Sequence, residues 1–354
     1  MSSLQIGLAV AGGLVLAAVV AHGAWTARRN MPRQAQPEPA QAQPGGRDVA
    51  HGIEPVLDRD EPLDAPSLDE LPAGFPVPAT KRPGLDALID VIAPIGLDTP
   101  VSGEAALAAL PTTRRAGSKP FAIEGLNLAN GQWELPVAGQ RYGEFQAGVQ
   151  LANRTGHLNE IEFSEFAMKA ERFAEAVNGA LTLPDMIEEV VRARELDQFA
   201  SAHDAQLGFT LRARSAAWSP GYVQQHAVRL GFMPGPVAGR MVLPANAAGL
   251  PPVLSLSFDT QAALSDDPDH SAVREVTLTL DVPQVNRAEQ AFARMREISI
   301  ALAAGMDGLL TDDNGQLIRV EVLDSIGEDL ERLYDRLDAR DLAAGSPQAR
   351  RLFS

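Results

Sequence analysis

The chain has 354 residues, with 30 Lys and Arg against 46 Asp and Glu for a formal charge of −16, 26 Pro, 30 Gly and no Cys. An acidic body is repelled by the phosphates of nucleic acid and of anionic lipid, so neither is expected as a ligand of its globular part. Without cysteine there is no disulfide framework, which fits a reducing compartment.

An uncharged apolar run from Leu4 to Val20 opens the chain and leads into VAHGAWTARRN, where Arg28 and Arg29 are the first basic side chains. At about 1.5 Å per residue, a helix from Leu4 to Trp25 is long enough to cross a hydrocarbon core of about 30 Å. Arg28, Arg29 and Arg33 follow this run and none precedes it, the order that puts the amino terminus in the periplasm and the rest in the cytoplasm. A cleaved signal peptide carries its basic residues on the other side. The expectation is a single-pass anchor over residues 1–27, flanked by Trp25, Arg28 and Arg29.

Residues 28–83 are rich in Pro, Gln, Ala, Asp and Glu and too poor in spaced apolar residues to repay the entropy of ordering. They are expected to be a disordered tether. Leu57, Leu63, Leu68, Leu71 and Phe75 are isolated within it, and the basic residues up to Arg47 suit the anionic cytoplasmic leaflet.

The remainder has the length of two ordinary domains, expected over 84–203 and 204–345, with a tail over 346–354. A constant offset of 129 residues relates them, pairing Val149 with Leu278, Leu151 with Leu280, Phe163 with Phe292, Phe173 with Leu302, Ala174 with Ala303 and Gly179 with Gly308. This reads as an internal duplication. Each half begins with an apolar strand (Leu85–Ala93, Gln206–Ala213) and a short helix (Ser102–Leu110, Pro220–Leu230). Further strands follow near Val237–Leu243, Val253–Phe258 and Glu275–Val282, the last alternating Val276, Leu278, Leu280 and Val282 with polar residues, the period of a half-buried strand. Long helices then carry Phe163, Phe166, Phe173 and Val177, or Phe292, Met295, Ile298 and Leu302, on one face. A last helix from about Ser325 to Leu342 is expected to open on a Ser325/Glu328 capping box. The fold class expected is α+β: an anchor helix, a linker, then two split βαβ-type antiparallel sheets, each backed by helices on one face. The other face of each sheet then meets water or a partner.

Taken together, VAHGAWTARRN, LGFMPG from Leu230, PVLSLSF from Pro252, VTLTLDVP from Val276 and DGLLTDDNG from Asp307 resemble the ZipA family, with a fainter trace in SGEAALAAL from Ser102. Members of that family tether the tubulin-like FtsZ ring to the bacterial inner membrane at the division septum. The resemblance implies an open sheet whose shallow apolar groove takes the FtsZ carboxy-terminal peptide. In the second half the outward positions Gly208, Thr210, Ser255, Ser257, Asp259 and Thr279 are polar where the family is apolar. The first half is better supplied: Leu88 and Ile92 are expected outward on its first strand, with Phe121, Ile123 and Trp133 on the strands that follow and Asp90 and Gln150 interrupting them. The candidate partner-binding residues are therefore Leu88, Ile92, Phe121, Ile123, Trp133, Phe258 and Thr279. The alternative is a membrane-anchored scaffold of the same fold that binds another division or envelope protein.

Chemistry is sparse. His22, His51, His157, His203, His226 and His270 have no paired metal-ligand spacing, and no P-loop, nucleophile elbow or HExxH occurs. The expectation is no enzyme, no metal, no cofactor and no small-molecule substrate.

Overall fold

The computed structural model describes residues 32–35, 84–265, 267, 271–312 and 314–354, which belong to one compact unit. The expected anchor with Trp25, Arg28 and Arg29, and most of the expected linker, lie outside the described residues. Among the described residues, no helix is long and apolar enough to cross a membrane.

The architecture is α+β with antiparallel sheets. The first half runs β1 (Asp90–Ser102), α1 (Gly103–Ala109), β2 (Arg115–Ala116), β3 (Lys119–Asn127), β4 (Trp133–Glu134), β5 (Arg141–Gln150), the small hairpin β6 (Ala152–Asn153) and β7 (Gly156–His157), α2 (Glu160–Ala176), β8 (Gly179–Leu181) and α3 (Met186–His203). The second half runs β9 (Gln206–Ala213), α4 (Pro220–Arg229), β10 (Met233–Pro234), β11 (Arg240–Leu243), β12 (Leu254–Phe258), α5 (Thr260–Ala263), β13 (Glu275–Asp281), α6 (Ala291–Met306), β14 (Gly308–Thr311), α7 (Val320–Asp338) and α8 (Pro347–Leu352). One sheet has the order β2-β3-β5-β1-β8, with β4 on β3; the other is β10-β11-β12-β13-β9-β14. Their central paths correspond strand for strand: β3-β5-β1-β8 against β12-β13-β9-β14.

Local chemistry starts and stops these elements. Asn159 and Glu162 form a capping box that opens α2, while Ser102, Ser219 and Ser346 each cap a helix, the last two followed by proline at its first position. Asn178 (φ 53°) and Asp307 (φ 52°) end α2 and α6 in the left-handed region, and they are separated by the same offset as the sequence repeat. Asn and Asp tolerate that region better than other side chains, and each turns the chain into the short strand that follows.

In the first core, α2 lays Phe163, Phe166 and Phe173 over Phe121, Phe145 and Tyr142, with edge-on ring pairs at 6.0 Å (Phe121–Phe166) and 5.1 Å (Phe145–Phe173). In the second, Met295, Leu302 and Met306 of α6 are buried in the cluster that holds Phe209, Leu256 and Leu278.

Four expectations are corrected. The first strand begins at Asp90 instead of Leu85, because Asp86 and Asp90 close a turn through the Asp86 amide and the Asp90 carboxylate (2.8 Å) and the Ile89 and Asp90 amides to the Asp86 carbonyl. The last helix begins at Val320, which leaves Ser325 inside the helix and not at a cap. The expected tail contains α8, whose Leu352 and the following Phe353 are buried. Finally, Pro32–Ala35, expected within a free tether, is packed on the second half, with Pro32 buried and Arg33 bridged to Trp218.

Among the contacts that join the halves, two stand out. Arg154 in the β6–β7 turn donates to both carboxylate oxygens of Asp204 (2.8 and 2.6 Å) and of Asp281 (both 2.7 Å), which holds it charged. The end of α8 is gripped from both sides, with Gln284 donating to the carbonyls of Arg350 and Phe353 and Gln150 donating to that of Arg351.

Candidate functional site

A sheet backed by helices on one face has one face left to bind something, so the register decides which side chains are available. In the first sheet, Phe121, Val149 and Val91 form one row across β3, β5 and β1, as do Ile123, Ala147 and Ala93, and all six are buried on the side of α2. The intervening rows are Asp90–Gln150, Ile92–Gly148–Ala122 and Pro94–Gln146–Glu124, and these form the outer face. Trp133 pairs with Leu126, which continues that face toward β4.

Phe121 and Ile123 are therefore core residues, contrary to the outward placement expected for them. The alternation of β3 was read one residue out of phase, and a single step exchanges the faces. Phe258 is corrected likewise: it is 7% exposed and aligned with Val276 on the buried side of the second sheet. Leu88 sits in the turn ahead of β1, partly buried against the core. Ile92 is half-buried on the outer face, Trp133 is 38% exposed, and Thr279 is exposed on the outer face of the second sheet between Ser255 and Gly208. The structure thus brings Ile92 and Trp133 to one surface and separates them from Thr279.

The chain itself closes one end of the first outer face. A Cβ on Gly148 would lie 2.5 Å from the Leu85 side chain, so glycine here lets the entering segment lie across the sheet. The Leu85 amide donates to Glu124 (3.0 Å), whose other oxygen accepts from Gln146 (3.0 Å). Beside it, Asp90 is 0% exposed and takes a two-pronged contact from Arg351 of α8 (2.5 and 2.8 Å). Burial pushes the Asp90 carboxyl above its ordinary range, and the Arg351 hydrogen bond and charge pull against that shift.

The far end is open and apolar. Around Leu126 and Trp133, the β3–β4 loop exposes Leu128 (55%) and the β4–β5 loop exposes Leu135 (36%) and Val137 (51%). Sequence reasoning missed these three. The available signal was the alternate spacing of Trp133, Leu135 and Val137, obscured by the Pro136 among them. The second outer face is different: Ser255, Ser257, Thr277, Thr279, Thr210 and Thr311 make adjacent rows of small hydroxyl side chains.

A buried polar cluster lies at the start of α2. Lys119, 1% exposed, donates to Ser118 (2.9 Å), Asn153 (3.1 Å) and Thr155 (3.3 Å), while Ser118 donates to Glu162 (2.7 Å). Burial lowers the lysine's proton affinity, opposed by the charge of Glu162. Burial works to raise that of Glu162, but hydrogen bonds from Ser118 outweigh it and its carboxyl is lowered. These bonds tie the β2–β3 turn to the α2 cap and serve the fold. A groove of about 610 Å³ between α6 and α7 is lined by Phe292, Ile300, Leu323 and Gly327 and edged by Glu297, Asp324, Glu328 and Glu331.

No family model and no curated protein matches the chain. Among solved structures it is similar to one described as the structure of FgChi7B, at 11% identity over 73% of this chain and 55% of that one, with a TM-score of 0.20. It is also similar to the berberine bridge enzyme from Eschscholzia californica, at 11% identity over 73% and 54%, with a TM-score of 0.15. The chain spans about half the length of either. The expectation that it is not an enzyme is corrected to this extent: a similar solved structure bears the name of an enzyme. At these TM-scores neither likeness carries a fold, a site or a reaction over to this chain.

Proposed function

We propose that this chain is a membrane-attached protein-binding module of the ZipA kind, in which the outer face of the first sheet grips an apolar peptide. The partner is the FtsZ carboxy-terminal peptide, and the two sheets are copies of one ancestral domain, over 84–203 and 204–345. Its place is the cytoplasmic side of a bacterial inner membrane at the division septum, held by residues 1–27. One observation carries this reading: Ile92, Ala122, Leu126 and Trp133 line the sheet face opposite α2 and leave apolar surface uncovered. Each apolar anchor that a peptide buries there gains roughly 1.5 to 3 kcal/mol. The polar face of the second sheet favours a division of labour in which only the first half binds. The same polarity supports the scaffold reading should the first face take a different division or envelope protein.

The test is titration of the FtsZ carboxy-terminal peptide onto the full chain in nanodiscs. Saturable binding is expected, weakened at least about tenfold (about 1.4 kcal/mol) by Trp133→Ala and unchanged by Thr279→Ala. Loss of binding with Thr279→Ala alone would move the grip to the second half. No saturable binding would remove FtsZ as the partner.

A further inference from the structure

The segment Pro32–Ala35 is far in sequence from everything it touches. Arg33 forms a parallel bridge with Trp218: its amide donates to the Ala217 carbonyl (2.6 Å), and its carbonyl accepts from the Ser219 amide (2.8 Å). Its guanidinium donates to the carboxylate of Asp307 (2.7 Å) and to the carbonyl of Met306 (3.3 Å). The Met306 carbonyl also accepts from the buried Trp218 indole (2.8 Å), and Ser215 donates to Asp307 (3.2 Å). Pro32 is buried beside it. Both backbone groups of Arg33 and its side chain are thus received by a surface built from the segment leading into α4 and the left-handed turn after α6. The carboxylate is specific to this half, because the equivalent turn residue in the first half is Asn178.

We propose that this surface is a dock for the chain's own juxtamembrane segment, and that it holds the second half close against the membrane. The inference rests on the reading of residues 1–27 as a membrane anchor. From Arg28 to Arg33 the chain reaches at most about 18 Å at about 3.6 Å per residue. Were residues 28–83 a free tether in series, the body would sit at a root-mean-square distance of about 40 Å, and several times that at full stretch. Docking takes those residues out of the series: 36–83 leave from Ala35 and rejoin at Gly84, both on the same compact unit. Reach is then a property that release of Arg33 restores. Two backbone hydrogen bonds and an ion pair whose side chains are 35% and 41% exposed make a contact that can open.

Because the chain contains no cysteine, a single donor dye can be placed at Arg229→Cys, on the exposed last turn of α4, against acceptor-labelled headgroups in nanodiscs carrying the full chain. Energy transfer is expected to be high in the parent and to fall at least about twofold in Arg33→Glu, with Asp307→Asn between them. In detergent, where no bilayer is present, the Arg33 and Ser219 amides are expected to exchange at least about tenfold faster in Arg33→Glu than in the parent. Equal transfer in parent and Arg33→Glu, or unprotected parent amides, would overturn the dock. A chain that fails to float with vesicles would overturn the membrane hold through the anchor, and the detergent exchange would still report whether the dock itself forms.

Discussion

The two halves share a path, β3-β5-β1-β8 against β12-β13-β9-β14, yet they treat the exposed side of the sheet in opposite ways. In the first half, apolar Ile92, Ala122 and Leu126 line the outer face, and the chain's own Leu85 and Arg351 seal one end of it. In the second, the outer rows are Ser and Thr, with Thr279 exposed and Thr210 and Thr311 buried, and the contact with a distant segment is made at the sheet's end, by Trp218 and Asp307. The same backbone has been given two surface chemistries. Helix-facing rows conserve the architecture; outer rows and turn residues carry what differs, as expected when sites are grafted on a common fold.

The sharpest way to break the comparison is to ask whether the halves are energetically separate. Phe145 is fully buried between Tyr142 and Phe173. Phe145→Ala is expected to cost about 3 to 5 kcal/mol. Because α8 and Arg154 tie the halves together, hydrogen exchange at low denaturant is expected to show β5 and β13 amides losing protection together. Loss confined to β5, with β13 unchanged, would make the halves two independent folding units that merely touch.

The next largest effect lies at the seal that only the first half has. Arg351→Ala removes the partner of a fully buried carboxylate and is expected to destabilise by about 3 kcal/mol, the low end for a buried pair because Arg351 itself is 21% exposed. The pH dependence has a definite sign. Burial raises the folded-state affinity of Asp90 for its proton, so between its ordinary value of 3.8 and the higher folded value the native state binds more protons than the unfolded chain. The stability this contributes is present below 3.8 and is lost as pH rises through the folded value. Without Arg351 the folded value rises further and the loss continues to higher pH; Asp90→Asn removes the dependence. Denaturant unfolding from pH 3 to 8 checks all three, and an Arg351→Ala curve parallel to the parent would show that the pair does not control Asp90.

Much of this was legible in the sequence, and the rest failed for physical reasons. The repeat offset was read from Gly179 and Gly308, and it recurs in the left-handed turn residues Asn178 and Asp307. Strand β13 and the outward, polar position of Thr279 followed from strict alternation. Phe121 and Ile123 share their buried face with Lys119, which looks like a surface residue until its three hydrogen-bond partners are known. Phe258 continues the alternation of Leu254 and Leu256, so its inward face was legible in the sequence and the outward placement went against it. Contacts such as Asp90–Arg351 and Arg33–Asp307 span more than 250 residues, and no local pattern announces them.

The smallest effect is the most direct test of what separates the two faces. Thr279 is exposed, its hydroxyl donates only to the Ser255 carbonyl across the strand (3.3 Å), and its neighbours there are Ser255 and Gly208. Thr279→Val keeps the shape and the β preference and removes one exposed hydroxyl, so folding stability is expected to stay within about 0.5 kcal/mol of the parent. A shift beyond about 1 kcal/mol would mean that this face is buried against something, and the contrast with the first half would then lie in what covers each sheet. An unchanged midpoint, with no gain of FtsZ peptide binding, would show that one apolar side chain on this face does not make a groove. The grip proposed for the first half would then rest on its whole row from Ile92 to Trp133, not on any single residue.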